Sequence, residues 1–264
     1  MPPSIMNSER IQPEWGRLSL GRPEIAPHQA AGQRALADAG ASFDPDPTAV
    51  LNEDLALALL KRRDLPPETL EQLSQNPAAM SSRKVCFALA AHPRTQRHLA
   101  LRLLRRFYTF DLMHFALRPV AAADLKRMAD QQLVARIASI PLGERLTLAR
   151  RGSQTVAAAL LLDKEWRVSH TALENARLTE AAVIKVLMRP NAAAVFVEAV
   201  CHHSKWSLRR EIRLALLRNP HTPLACALEF ARALPPPLLR DILHTSRLPE
   251  RVKVYLRKDL EARR

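Results

Sequence analysis

Glycine is scarce in this chain, with only six among 264 residues. The glycines occupy positions 16, 21, 32, 40, 143 and 152, so residues 41–142 and 153–264 contain none. β-Hairpins, dinucleotide-binding turns and phosphate loops usually need glycine where φ is positive, whereas helices joined at proline do not. The body of the chain is therefore predicted to be all-α.

Long apolar runs and paired cysteines are also missing. Charged side chains recur every few positions, so no stretch reaches the roughly 20 apolar residues that a membrane-spanning helix needs. The first residues lack a basic start followed by an apolar run, which argues against a secretory signal. The three cysteines Cys86, Cys201 and Cys226 are an odd number in apolar surroundings and fit reduced core thiols. We expect a cytoplasmic protein without a membrane span.

Acidic residues are outnumbered by basic ones, 26 to 40, which gives a formal net charge of +14. Residues 1–50 carry four basic and six acidic side chains, so the rest of the chain carries 36 and 20. A body this cationic favours partners such as nucleic acid or an anionic surface, although charge says nothing about the fold.

The chain divides into two parts by composition. Residues 1–47 contain four of the six glycines and seven of the twenty prolines, which predicts a flexible N-terminal leader. Order is expected from about Thr48, so a helical domain would span residues 48–264. Proline-containing breaks divide that domain into roughly ten to twelve predicted helices. The breaks lie at residues 65–68, 75–77, 92–95, 118–119, 140–143, 189–191, 219–223, 234–237 and 248–250.

Internal repetition is the strongest signal in the sequence. A shift of 127 positions aligns His-Pro-Arg-Thr at 92–95 with Asn-Pro-His-Thr at 219–222, and a shift of 44 aligns residues 174–187 with 218–231. Both shifts indicate a unit of about 42–44 residues, which is typical of HEAT and armadillo repeats. Such helical units stack because one unit cannot bury its apolar face alone. The sequence thus predicts an α-solenoid of about five HEAT- or armadillo-like repeats, with a helix over 208–218 stacking through Ile212, Ala215 and Leu216.

The last unit carries a family resemblance. Asn-Pro-His-Thr-Pro-Leu-Ala-Cys-Ala-Leu-Glu-Phe at 219–230 is followed by Pro-Leu-Leu-Arg-Asp-Ile-Leu at 237–243 and Leu-Pro-Glu-Arg-Val-Lys at 248–253. The pattern resembles bacterial HEAT-like and leucine-rich-variant repeat proteins over residues 54–261. That resemblance implies a right-handed α-solenoid with a binding role, and it supplies no catalytic motif.

Two basic clusters are the candidate binding residues. Lys205, Arg209 and Arg213 fall at i, i+4 and i+8, which would place three cations on one helical face. A competing interpretation is that arginine is simply a good, soluble helix former on exposed faces. The full candidate set is Arg102, Arg105, Arg106, Lys205, Trp206, Arg209, Arg210 and Arg213.

Other patterns give weaker signals. Trp166 and Trp206 fit stacking platforms, but repeat-core residues are the favoured interpretation. Residues 16–23 lack the lysine and hydroxyl of a phosphate loop. A zinc site could be drawn from Cys201, His202, His203, His221 and Cys226, yet structural zinc needs four ligands at recognisable spacing. The carboxylates of Asp163, Glu165, Glu174 and Glu198 are interpreted as solvated helix faces with local ion pairs.

No metal, cofactor or catalytic residue is therefore predicted. The sequence favours non-enzymatic recognition of a protein partner along one curved face. The alternative is binding of a nucleic-acid backbone by the arginine clusters, and a repeat-scaffold enzyme of the DNA-glycosylase type is a weaker one that rests on fold analogy alone. A partner-binding protein should show an apolar or mixed groove, a polyanion binder one continuous basic face, and an enzyme a deep pocket with a carboxylate near an aromatic ring.

Overall fold

The computed structural model describes residues 52–263, which form sixteen helices and no strand. The all-α prediction is confirmed for this part of the chain. The leader at 1–47, the expected start near Thr48 and the stretch at 16–23 lie outside the described residues. The helices are α1 (Glu53–Leu60), α2 (Pro67–Gln75), α3 (Pro77–Ser81), α4 (Arg83–Ala91), α5 (Arg97–Arg106), α6 (Thr109–Ala116), α7 (Ala123–Arg136), α8 (Leu142–Arg151), α9 (Gln154–Leu160), α10 (Trp166–Leu173), α11 (Glu180–Leu187), α12 (Ala194–His202), α13 (Arg210–Leu216), α14 (Leu224–Arg232), α15 (Pro236–Thr245) and α16 (Glu250–Glu261).

Proline marks many of the helix boundaries. All nine proline-containing breaks fall between observed helices, and Pro67, Pro77 and Pro236 occupy first-turn positions. Proline fits there because its missing N–H has no intrahelical partner in the first turn. Six further breaks contain no proline, at residues 82, 107–108, 152–153, 161–165, 174–179 and 203–209. These extra breaks explain why the described residues hold sixteen helices and not the predicted ten to twelve.

Side-chain caps produce several of the breaks that lack proline. The Ser82 and Ser153 hydroxyls accept from the backbone N–H of Val85 and Val156, and Thr179 caps α11 in the same way. Asn52 precedes α1, but its side chain makes no capping hydrogen bond. Capping oxygens satisfy N–H groups that have no partner within the helix, so a short polar residue is enough to start a new helix.

The helices pack in two series. In the first series, α1 contacts α4, and α4 contacts α6. Farther along the chain, α8 contacts α10 and α10 contacts α12, and α14 contacts α16. In the second, α5, α7, α9, α11 and α13 contact one another in that order. Leucine, valine and alanine side chains from both series form one buried core, which includes the predicted Ile212, Ala215 and Leu216 of α13.

The packing interval is shorter than the interval of sequence similarity. Contacting helices of one series begin 24 positions apart for α8 and α10, at Leu142 and Trp166, and 31 apart for α7 and α9. The shift of 127 instead relates α4 to α13, which begin at Arg83 and Arg210. Similar sequences therefore recur on helices that are nine apart, whereas most contacts within a series join helices that are two apart. The element that recurs both in the packing and in the sequence similarity is therefore a single helix together with its turn.

Buried amide side chains connect turns that are distant in sequence. The Asn175 amide donates to the carbonyl oxygen of Ala149 at 2.7 Å, and its Oδ1 accepts from the backbone N–H of Arg177. Asn219 donates to the carbonyl oxygen of Leu187 at 2.7 Å. Buried carbonyl groups need such partners, so each asparagine joins the end of one helix to an earlier helix of its own series.

Candidate binding groove

An open groove crosses the first series of helices. One part of it, about 810 Å³ in volume, is formed by α4, α6 and the turn that follows α6. The residues that line it are Arg83, Lys84, Phe87, Ala88, Asp111, His114 and Arg118. A second part of about 570 Å³ shares Ala88 and Arg118 with the first and extends over α1. We refer to both parts together as the α1–α4–α6 groove.

An aromatic cluster supports the floor of the groove. Phe87 stacks on Phe107 with ring centroids 5.8 Å apart and meets the edge of Phe115 at 6.1 Å. Phe107 and Phe115 are buried, so Phe87 is held in place from below. The Arg118 guanidinium lies over the Phe87 ring, 5.2 Å from its centroid. This contact leaves an apolar surface with a cation directly above it.

The carboxylate in the groove is already paired. Arg83 donates two hydrogen bonds to Asp111, from Nε at 2.7 Å and from Nη2 at 2.9 Å. The same guanidinium lies 4.9 Å from the ring centroid of Tyr108. A bidentate arginine–carboxylate pair fixes both side chains, so Asp111 anchors α6 to α4.

The α1 part of the groove is apolar with basic margins. Leu57, Leu60, Ala91 and Val120 contribute apolar surface, and Val120 is 54% exposed. The lining also includes the cations Lys61, Arg63 and Arg118 and the carboxylate of Asp54. Among residues 52–263, Lys61, Arg63 and Arg118 have no ion-pair partner, whereas Lys84 pairs with Glu53 at 3.3 Å. The groove therefore offers apolar contact area next to three cations that are available to an acidic ligand.

The first predicted basic cluster lies away from this groove. Arg102, Arg105 and Arg106 are exposed on α5, in the second series, and line neither part of the groove. No hydrogen bond or ion pair of the described residues joins them to the second cluster. The first cluster lies on α5, and the second lies in the turn before α13 and on α13 itself.

The second predicted cluster does not form one helical face. Helix α13 begins at Arg210, so Lys205 and Arg209 lie in the preceding turn and the i, i+4, i+8 geometry is wrong. Arg213 is half-buried, donates from Nε to the carbonyl oxygen of Ser207 at 2.6 Å and lies over Phe230. Arg213 therefore links the turn that contains Ser207 to α13. Only Lys205, Arg209 and Arg210 remain as exposed cations here.

The two tryptophans differ in burial. Trp206 is 1% exposed, and its Nε1 donates to the carbonyl oxygen of Leu173 at 2.9 Å. It is a core residue, as the favoured interpretation predicted, and it is inaccessible to a base or a peptide. Trp166 is 60% exposed at the start of α10, so the core interpretation is wrong for this residue. Lys205 Nζ lies over the Trp206 ring, 4.1 Å from its centroid. This cation–π contact gives the lysine next to the buried tryptophan a structural role.

The residues drawn into a zinc site are not arranged as one. His202 Nε2 lies 4.0 Å from Cys226 Sγ, and no group of three or more metal-ligand side chains comes together within the described residues. Cys201 and Cys226 are buried, and burial raises the pKa of both thiols. Cys86 is half-buried and is also a free thiol.

One predicted solvated carboxylate is buried. Asp163 has a side chain only 2% exposed, accepts from Arg145 at 2.6 Å and 2.8 Å, and also accepts from the backbone N–H of Glu165. The solvated interpretation is therefore wrong for Asp163. Glu174 and Glu198 are exposed, as predicted.

Sequence reasoning missed the α1–α4–α6 groove, although one compositional signal was present. The chain has twelve aromatic residues, and five of them lie between positions 87 and 115. Phe87, Phe107 and Phe115 form the cluster beneath the groove, Tyr108 contacts Arg83, and Phe110 is exposed. Local aromatic enrichment in a chain with only 5% aromatics was the available indication.

Comparison of the chain with protein-family models, with curated proteins and with solved structures gives no match. The fold class is therefore defined by residues 52–263 alone, which are all-helical. Of the helices within residues 52–263, none combines the length and the apolar composition that crossing a bilayer requires.

Proposed function

We propose that this protein is a cytoplasmic, non-enzymatic α-solenoid that binds an extended segment of a partner protein in the α1–α4–α6 groove. The observation that carries the proposal is the combination of an apolar floor at Phe87 with three cations that have no partner among the described residues. The matching segment would present an apolar or aromatic anchor flanked by Asp or Glu.

The packing of the helices supports the solenoid part of the proposal. Stacked two-layer units require contacts between every second helix, and such contacts run without interruption through α5, α7, α9, α11 and α13 and over parts of the first series. The inferred stacking unit is a pair of helices, shorter than the 42–44 residues of the sequence interval. We infer a right-handed arrangement from the resemblance to HEAT-like proteins.

The composition of the groove favours a protein segment as its ligand. Interface anchors are enriched in aromatic and other large apolar side chains that fill desolvated pockets. Each Å² of apolar surface removed from water contributes about 25 cal/mol, so the floor rewards an apolar side chain. Unpaired cations at the margin add specificity and a faster association rate for acidic segments.

Catalysis is the least supported alternative. The groove does contain a carboxylate near an aromatic ring, Asp111 beside Phe87, which is the arrangement expected of an enzyme. However, the groove is open and both oxygens of Asp111 accept hydrogen bonds from Arg83. A carboxylate held in this way is a structural link.

Selection from a random 12-residue peptide library against the purified full-length protein tests the proposal. We expect enriched peptides to combine Leu, Phe or Trp with two or more acidic residues. A matched selection with the Arg63→Glu/Arg118→Glu variant should lose the acidic preference, whereas Arg102→Glu/Arg105→Glu on α5 should keep it. Selection of basic peptides, or the same peptides from all three proteins, contradicts the proposal.

A further inference from the structure

A second site lies where α11, α13 and α15 end. Arg189 follows α11, Arg218 follows α13 and Arg247 follows α15, and all three side chains are exposed. The backbone N–H of Arg247 donates to the carbonyl oxygen of Arg218 at 3.2 Å, which joins two of these turns directly. The three arginines line one pocket of about 230 Å³, together with His221.

No negative charge balances this pocket. None of the residues that line it is acidic, and its other members are apolar or neutral. Within the described part of the chain, the three guanidinium groups make no ion pair and no side-chain hydrogen bond. The pocket therefore combines three cations with no carboxylate, which favours an anionic ligand.

Helix capping does not account for the arginines. Cations are common at helix C-termini because the last carbonyl groups carry partial negative charge. Here, however, other side chains donate to carbonyl oxygens at two of these helix ends. Asn219 Nδ2 donates to the carbonyl oxygen of Leu187 at 2.7 Å, and Thr222 Oγ1 donates to that of Leu216 at 2.6 Å. The N–H groups of the three guanidinium groups therefore make no hydrogen bond within residues 52–263.

We propose that this pocket, the Arg189–Arg218–Arg247 site, binds the phosphodiester backbone of a nucleic acid. Guanidinium groups match the phosphate oxygens with two parallel hydrogen bonds, which an ammonium group cannot do. The arginines come from three turns: α11 packs on α13, and the backbone hydrogen bond from Arg247 to Arg218 joins the turns after α13 and α15. Cations supplied by three separate turns suit several phosphates of a backbone. No Phe, Tyr or Trp side chain lines the pocket, so contacts would go mainly to phosphates and not to bases.

The test is fluorescence anisotropy of labelled 20-nucleotide single strands and 20-base-pair duplexes across about 50–300 mM salt. Each neutralised phosphate contributes about −0.9 to the slope of log K against log salt for duplex DNA and about −0.7 for a single strand. We expect the Arg189→Gln/Arg218→Gln/Arg247→Gln variant to lower the magnitude of the slope by about 2–3 and weaken binding at least tenfold. The matching Lys variant should keep most of the slope.

Two controls separate this site from general charge. The first control variant, Arg102→Gln/Arg105→Gln/Arg106→Gln, removes the same charge from exposed positions on α5. It should change the slope by less than one unit, both for the single strands and for the duplexes. Equal losses in both Gln variants, or no binding by the wild type at 100 mM salt, overturn the proposal. Binding of inorganic pyrophosphate with no binding of either oligonucleotide also overturns it, because the site would then be a compact phosphate site. Since the three guanidinium groups make no ion pair or hydrogen bond within residues 52–263, unchanged thermal unfolding of the Gln variant verifies its fold.

Discussion

His92 and Asn219 lie 127 positions apart and make the same hydrogen bonds. His92 Nδ1 accepts from the backbone N–H of Arg94 at 3.2 Å, which places the ring proton on Nε2 for donation to the carbonyl oxygen of Arg62 at 2.8 Å. Asn219 Oδ1 accepts from the N–H of His221 at 2.9 Å, while its amide donates to Leu187. Each residue uses one acceptor for the N–H two positions later and one donor for an earlier helix.

The match between the two turns extends to the threonine three positions after His92 and Asn219. Thr95 donates to the carbonyl oxygen of Leu89 and Thr222 to that of Leu216, both at 2.6 Å. His-Pro-Arg-Thr and Asn-Pro-His-Thr are therefore two sequences for one turn. The similarity detected by the shift of 127 reflects this shared hydrogen bonding.

Removing the amide of Asn219 should destabilise the fold. The Asn219→Ala variant leaves the buried carbonyl of Leu187 without its partner, which costs about 1–3 kcal/mol. Asn219→Asp keeps the acceptor for His221 but brings a negative charge to the Leu187 oxygen, so we expect at least the same loss. Urea unfolding measures both values. The exposed Asn191→Ala is the control, and a loss of equal size there would contradict the role of Asn219.

The two described glycines should respond oppositely to alanine. A Cβ at Gly152 would clash with the carbonyl oxygen of Leu148 and press on Val156, whereas a Cβ at Gly143 meets nothing within 4 Å. Gly143 lies inside α8, where alanine is favoured over glycine by about 0.5–1 kcal/mol. We expect Gly143→Ala to raise the free energy of unfolding and Gly152→Ala to lower it. Equal effects in denaturant titrations would be inconsistent with these contacts.

The two tryptophans provide a second matched pair. Trp206→Phe removes the Nε1–H that pairs with the Leu173 carbonyl, so we expect a loss of about 1–3 kcal/mol. Trp166→Phe changes an exposed side chain and should stay within about 0.5 kcal/mol. Chemical denaturation of the two variants measures the difference, and similar losses would show that Trp206 is not the core residue described here.

Acid should destabilise the protein partly through His203. Burial lowers the pKa of His203, and the nearby Glu174 carboxylate, 3.2 Å from Nε2, opposes this only in part. His170 and Lys205 lower the pKa further. The folded state therefore favours neutral imidazole, and stability falls as pH drops below the unfolded value of about 6.5.

The variant that isolates this effect is His203→Asn. Asparagine keeps an acceptor for the Lys205 N–H, as Asn175 and Asn219 do in their own turns, but it does not titrate. Between pH 7.5 and pH 5.0 we expect the wild type to lose more of its free energy of unfolding than His203→Asn. The exposed His244→Asn should lose as much as the wild type. Identical pH profiles for wild type and His203→Asn would count against this role.

Proline made much of the fold predictable, since every proline-containing break was observed. Three of the six remaining breaks have a single serine or threonine cap, Ser82, Ser153 or Thr179. Serine and threonine also occur inside helices, so they give a weak signal in sequence. The buried core positions of α13 were predictable from their helical spacing. The packing interval was not, because similar turns recur on helices of both series.

The binding surfaces were harder to predict than the helices. Lys205 and Arg209 have helical spacing in sequence, but the buried Trp206 holds this segment as a turn. The α1–α4–α6 groove combines residues of three helices that are not consecutive, such as Lys61, Phe87 and Arg118. Spacing within one helix carries no information about such a combination.

The most direct test of the central claim is the affinity of one selected acidic peptide for the full-length protein, measured by isothermal titration calorimetry. Reversing two groove charges in Arg63→Glu/Arg118→Glu should weaken binding at least tenfold, since two attractions become repulsions. The equally charged Arg102→Glu/Arg105→Glu variant should bind within about threefold of the wild type, because rim charges far from the ligand contribute little. Equal weakening in both variants would show that net charge, and not the groove, determines recognition.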